Sequence, residues 1–120
     1  MAVENLERTT KFYTQIGFKP NGTPSKELTS FLAGANNFVM HFFLKEHLQP
    51  ANKGPLAEPK NGNEIIFTIG AESKNEVDDW AKKVEGAGGL LVSQPEEFGK
   101  GYYGFVFADP DGHRFNVFFM

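Results

Sequence analysis

The chain has 120 residues and no cysteine. Disulfide scaffolds, thiolate nucleophiles and cysteine-ligated zinc or iron-sulfur centres are thereby excluded, which leaves only oxygen and imidazole ligands for any metal. The same absence suits a reducing compartment, and the expected location is the cytoplasm. A basic surplus is lacking too. Twelve Lys and Arg face 15 Asp and Glu, for a formal net charge of -3, so nothing drives binding to a phosphate backbone and no nucleic-acid partner is expected. No apolar run approaches the roughly 20 residues that a membrane-spanning helix needs, and Met1-Ala2-Val3-Glu4 carries no charged and apolar leader. The chain reads as soluble and unprocessed, with no membrane partner and the size of one domain. Trp and Tyr are scarce, at 1 and 3, whereas Phe numbers 13.

Two amphipathic helices are legible. From Leu6, the residues Leu6, Phe12, Tyr13 and Ile16 fall largely on one stripe, with Asn5 as N-cap and Gly17 as the stop. From Ser73, an S-x-x-E capping box with Glu76 precedes Val77, Trp80, Val84 and Ala87, and Gly88 ends the pattern. Asp78 and Lys82, like Asp79 and Lys83, stand four apart with the acid first, a spacing that supports an exposed helix face.

Each helix is followed by the same sequence of elements. After Gly17 come strands at 18–21, 28–33 and 38–44, the last two joined by a Gly34-Ala35-Asn36-Asn37 turn. After Gly88 come strands at 89–93, 101–108 and 115–120, the last two joined by Asp109-Pro110-Asp111-Gly112. A strand at 65–69 precedes the second helix, while only Met1 to Val3 can precede the first. Superposing Gly17 on Gly88 also brings Leu6 onto Val77, a weak internal repeat. Between the halves, residues 45–63 contain Pro50, Gly54, Pro55, Pro59 and Gly62 and have the composition of a linker.

The opening phrase Val3-Glu4-Asn5-Leu6-Glu7-Arg8, Lys11-Phe12-Tyr13, Ile16-Gly17-Phe18 and the closing phrase Asp109-Pro110-Asp111-Gly112-His113 together resemble the vicinal oxygen chelate superfamily, also called the glyoxalase, bleomycin-resistance and dioxygenase superfamily. Segments similar to 72–78 and to Tyr103-Gly104 occur in its small glyoxalase-like bacterial proteins. The resemblance covers nearly the whole chain. It implies an α+β fold of two βαβββ modules forming a U-shaped mixed sheet, with helices on the convex side, a pocket on the concave side and, here, a truncated or missing first strand. Module one is residues 1–44, the linker 45–63 and module two 64–120, within a single glyoxalase-like domain. A homodimer is implied as well. In metal-dependent members, four inward positions occupied by His, Gln or Glu hold a divalent ion that stabilises a developing enolate or oxyanion.

Carried onto this chain, those positions fall at Glu64, at Asn116, at Met40 or His41, and at a first-strand position for which the sequence offers no residue. A one-residue slip swaps strand faces, so Met40 and His41 remain alternatives. Asn116 is a poor ligand where a carboxylate is usual, and an amide cannot act as a general base. The cofactor is therefore open, with a divalent metal ion as the one the resemblance would supply. The favoured function is binding of a small planar or amphiphilic molecule in an aromatic pocket with a degenerate metal site. The ligand-binding candidates are His41, Glu64, Tyr103, Asn116 and Phe118. The alternative is a divalent-metal-dependent lyase, isomerase or dioxygenase using His41, Glu64 and an upstream residue; a ferredoxin-like dimer without ligand would share much of the element order. Tyr103 is preferred to Tyr102 for its place beside Gly104, His113 is expected to be an exposed loop residue, and Arg114 shares a face with Asn116 by alternation. Eight Phe (38, 42, 43, 105, 107, 115, 118 and 119) crowd the two hairpins, where alternation prevents them from sharing one core.

Overall fold

A computed structural model describes residues 1–35 and 37–120. They form two compact units, Met1–Glu58 and Pro59–Met120. The first contains β1 (Ala2–Val3), α1 (Leu6–Gln15), β2 (Lys19–Pro20), β3 (Leu28–Ala33), β4 (Phe38–Leu44) and α2 (Lys45–Asn52). Its sheet runs β1-β4-β3-β2, with β1 parallel to β4 and the other pairs antiparallel. The second contains β5 (Ile66–Gly70), α3 (Lys74–Gly86), β6 (Leu90–Leu91), β7 (Glu96–Phe98), β8 (Tyr102–Ala108) and β9 (Arg114–Phe119). Its sheet runs β5-β9-β8-β6, with β5 parallel to β9 and the short β7 added alongside β8. The strand orders correspond position for position, so the weak repeat in the sequence marks a repeated βαβββ topology.

Local chemistry sets the helix ends. Asn5 is extended and its side chain accepts the Arg8 N–H at 2.9 Å, satisfying one of the orphan donors of α1. Gly17, at φ 98°, takes the left-handed turn that lets the Phe18 N–H reach the Tyr13 carbonyl. In α3, Ser73 Oγ accepts the Glu76 N–H at 3.1 Å, while the Glu76 carboxylate accepts from the N–H of Glu72 at 2.6 Å, one residue before the cap.

Each helix packs its apolar stripe on one face of its sheet. In the first unit Phe12, Tyr13 and Ile16 are buried, and the Tyr13 ring lies 4.4 Å from Phe42, 5.3 Å from Phe18 and 5.8 Å from Phe31. In the second, Val77, Ala81 and Val84 cover Phe105, Phe107, Phe115 and Val117, with the rings of Phe107 and Phe115 stacked at 5.2 Å. Ala81, not Trp80, completes the buried stripe; Trp80 sits half-buried at its margin beneath the Lys83 ammonium. The eight hairpin Phe divide accordingly: Phe42, Phe105, Phe107 and Phe115 are buried, whereas Phe38 is 59% exposed.

Three segments differ from their sequence reading. Residues 45–52, read as linker, form α2, which closes in a left-handed turn at Lys53 and packs against β4. Pro50 removes only one internal donor from this two-turn helix, and Lys45 bridges Glu58 at 2.9 Å and Glu4 at 3.2 Å. β7 occupies what had the composition of a loop. His113 is not exposed; it is 7% accessible, because the closing turn folds around it. The buried Asp109 carboxylate accepts the N–H groups of Asp111 at 3.0 Å and His113 at 2.8 Å, and its second oxygen lies 2.9 Å from His113 Nδ1. Among the described residues, no helix is long and apolar enough to cross a membrane.

Two stability measurements test this packing. Phe42→Ala removes a fully buried ring and is expected to cost about 3–5 kcal/mol in urea unfolding. Asp109→Ala strands two buried N–H groups and the His113 ring and should cost about 3 kcal/mol, with Asp109→Asn losing distinctly less.

Candidate functional site

Strand alternation gives each sheet a second face, turned away from its helix. In the first unit Met40 is buried on the same side as Phe42 and Phe31, so His41 points the other way. Of the sequence alternatives at this position, Met40 lies on the side of α1 and His41 on the face turned away from α1. There it stands across from Ser30, whose hydroxyl accepts from the Asn21 amide at 3.1 Å, and its ring is 6.0 Å from Phe43.

In the second unit the helix-free face is built as three rows across β5, β9 and β8: Ile66-Arg114-Ala108, Thr68-Asn116-Val106 and Gly70-Phe118-Gly104. Tyr102 lies beyond the last row with its ring 6.2 Å from Phe118, and Phe98 of β7 stacks on Tyr102 at 5.9 Å and 15°. Gly104 is imposed by close approach of the strands. A Cβ there would collide with the Val117 carbonyl oxygen and lie 2.7 Å from the Phe118 Cβ. Phe118 consequently has no cross-strand side chain on either flank. At the centre of this face the Asn116 carbonyl oxygen is buried and has no hydrogen-bond partner among the described residues. An unpaired buried acceptor costs on the order of 1–3 kcal/mol.

The five sequence candidates are not brought together. Asn116 and Phe118 share the helix-free face of the second unit. Tyr103 is on the opposite face, where its hydroxyl donates to Asp78 of α3 at 2.6 Å and the Lys74 ammonium sits 5.4 Å from its ring centre. Glu64 is exposed and precedes β5; Thr68, not Glu64, pairs with Asn116. His41 belongs to the first unit. Tyr102, Phe98 and Thr68, which lie on or beside the Asn116 face, were not among the candidates. Tyr102 had a signal: a turn that pairs Ala108 with Arg114 puts the even-numbered residues of both strands on one face.

Hydrogen bonding to Asp78, then lost hydration, then the charges of Asp78 and Glu97 hold the Tyr103 phenol above its ordinary pKa. Glu97 is held below its usual range, chiefly by the hydrogen bond from Lys74 at 2.7 Å. Both effects belong to the helix-covered side and leave the Asn116 face untouched. A groove of about 760 Å³ also runs between α1 and the loop before β3, lined by Leu6, Thr10, Thr14, Pro24 and Lys26 among others, and none of the five candidates borders it. Among the described residues, no group of three or more His, Asp or Glu is gathered to hold a metal ion. The row Thr68-Asn116-Val106 offers an amide and a hydroxyl and no carboxylate or imidazole.

The sequence profile of the glyoxalase/bleomycin resistance protein/dioxygenase superfamily matches residues 1–117. The chain belongs to this superfamily. Among solved structures, a hypothetical protein from S. aureus is similar at 31% identity and a TM-score of 0.86, covering 100% of this chain and 89% of that one. A glyoxalase-related enzyme from Fulvimarina pelagi superposes at a TM-score of 0.88 with 21% identity, over 100% of this chain and 84% of the other. A lactoylglutathione lyase from Agrobacterium tumefaciens does so at 0.69 with 20% identity, over 99% and 88%. The last two likenesses concern the fold alone. No curated protein matches the chain. The glyoxalase βαβββ unit accounts for the strand order seen in both halves.

The Tyr103 pKa is directly measurable. Asp78→Asn should lower it toward 10, read by ultraviolet titration against a Tyr103→Phe control. In the parent protein the neutral phenol is the form favoured by folding. That contribution is complete below the unfolded pKa near 10 and is lost as pH rises through the elevated folded value.

Proposed function

We propose that this superfamily member binds a small planar or amphiphilic molecule on the helix-free face of its second unit, without a divalent metal, and works as a homodimer. The observation that carries this reading is the Asn116 carbonyl oxygen, buried and unpartnered among the described residues, next to Phe118 with its glycine flanks. An apolar surface with one convergent polar group is what a small-molecule site requires, because apolar area supplies affinity and the polar group fixes orientation. Phe118, Tyr102 and Phe98 supply the flat surface. An amide in place of a carboxylate makes this a recognition site rather than a Lewis-acid site.

Support for the dimer comes from the first sheet. β1 pairs with β4 only at Phe43 and Leu44, and among the described residues no strand lies along the outer edge of β4 at Phe38 and Val39, both exposed. Such an edge invites a partner strand. A second copy is the partner that a closed two-fold assembly provides.

The metal-dependent lyase, isomerase or dioxygenase reading retains one supporting observation, the His41 imidazole on the helix-free face of the first unit. Metal content decides between the two. Protein purified without added ions should carry under about 0.2 metal per chain, and Ni, Zn, Mn or Fe should produce no activity; stoichiometric metal would overturn the binding reading. In a screen of planar aromatic compounds by calorimetry, Phe118→Ala should weaken whatever binds by about tenfold, while the urea midpoint stays close to the parent value. Light scattering should return twice the chain mass.

A further inference from the structure

The helix-free face of the second unit is polarised along β9. At one end stands Arg114, half-buried between Ile66 and Ala108, whose guanidinium makes no ion pair or hydrogen bond with any described residue. At the other end, β7 places the exposed Glu96 carboxylate beside Gly104, in the row of Phe118. Between them lies the unpartnered Asn116 oxygen. At about 3.3 Å per residue, Asn116 is some 6–7 Å from Arg114 along the strand and Phe118 about 13 Å.

We propose that the ligand is an elongated aromatic anion, with a carboxylate or similar group at Arg114, an N–H or O–H donor over Asn116 and a flat ring in the glycine-flanked slot at Phe118. This assignment rests on the binding reading above and names its ligand class. Three independent features impose it. A guanidinium with no acidic partner, partly withdrawn from water between two apolar side chains, is matched best by a carboxylate, which it can hold through two parallel hydrogen bonds. The Asn116 carbonyl can only accept, so the ligand must donate at that point. A ring placed at Phe118 meets aromatic surface from Phe118 and Tyr102 where neither neighbouring strand offers a side chain. Glu96 fixes the direction, since an anion placed at the ring end would face a like charge.

The probe is N-benzoyl-6-aminohexanoate, which carries ring, N–H and carboxylate in the required order. It is compared with its neutral primary amide and with the benzoate ester that replaces the N–H by oxygen. Calorimetry on the full chain should show the acid binding at least about tenfold more tightly than the primary amide. Arg114→Gln should bring that difference below about twofold by weakening the acid more than the amide, and Arg114→Lys should restore part of it. The ester should bind more weakly than the parent acid, and Asn116→Ala should remove that gap. Equal binding of acid and amide, or an equal loss of both in Arg114→Gln, overturns the anion assignment while the binding reading stands, provided Phe118→Ala weakens both. If none of the three probes binds below about 1 mM, the ligand class is wrong. If the neutral planar compounds also fail, the binding reading falls with it.

Discussion

The register of the closing hairpin depends on one buried carboxylate. Asp109 gathers the N–H groups of Asp111 and His113 and the His113 ring, holding the turn in a form that pairs Ala108 with Arg114. Because side chains alternate, that single pairing decides the face of every residue in β8 and β9. It sends Phe105, Phe107, Phe115 and Val117 beneath α3 and leaves Arg114, Asn116, Phe118 and Tyr102 on the other side. A slip of one residue would exchange the apolar core for a row holding a guanidinium and an amide. The burial of four large apolar side chains therefore enforces the same register that assembles the polar face.

The two halves use this arrangement in parallel. Each has a parallel outer strand beside the last strand of its unit, and α1 and α3 each cover one face of their sheet. The helix-covered faces carry the densest aromatic packing, around Tyr13 in one half and Phe107 in the other. The helix-free faces hold the polar exceptions: Ser30 and His41 in the first, Thr68, Arg114 and Asn116 in the second. Apolar burial constrains one side of each sheet more tightly than the other. Superfamily membership accordingly accounts for the strand order, and the side chains at 114, 116 and 118 give this face its own character.

Most of the fold was legible because its signals are local. Asn5, Gly17, Ser73 and Gly88 mark helix ends through groups that act within a few residues, and the hairpin strands are continuous apolar runs bounded by turn residues. The segment 45–52 was not legible, since its helix is held by packing on β4 and by the reach of Lys45 to Glu4 and Glu58, contacts that no local pattern records. β7 is too short and too polar to announce itself. The site was half legible. Asn116 and Phe118 follow from position on the last strand, but telling which of Tyr102 and Tyr103 shares their face required the register, which is set across the turn by Asp109. Glu64 illustrates the opposite difficulty, because β5 begins at Ile66, one residue later than expected, and Glu64 lies outside the sheet. The exposure assigned to His113 failed for a related reason: a polar residue after a turn glycine has the composition of surface, yet its ring is enclosed by the same carboxylate that shapes the turn.

The two glycines beside Phe118 look equivalent in the sequence, and their surroundings make them opposites. A methyl group at 104 would force β8 and β9 apart, so that position is fixed by backbone contact whatever the molecule binds. At 70, an added methyl group meets nothing within 4 Å. Position 70 therefore has room for a side chain where position 104 has none, and the surface beside the Phe118 ring can be reshaped from β5 but not from β8.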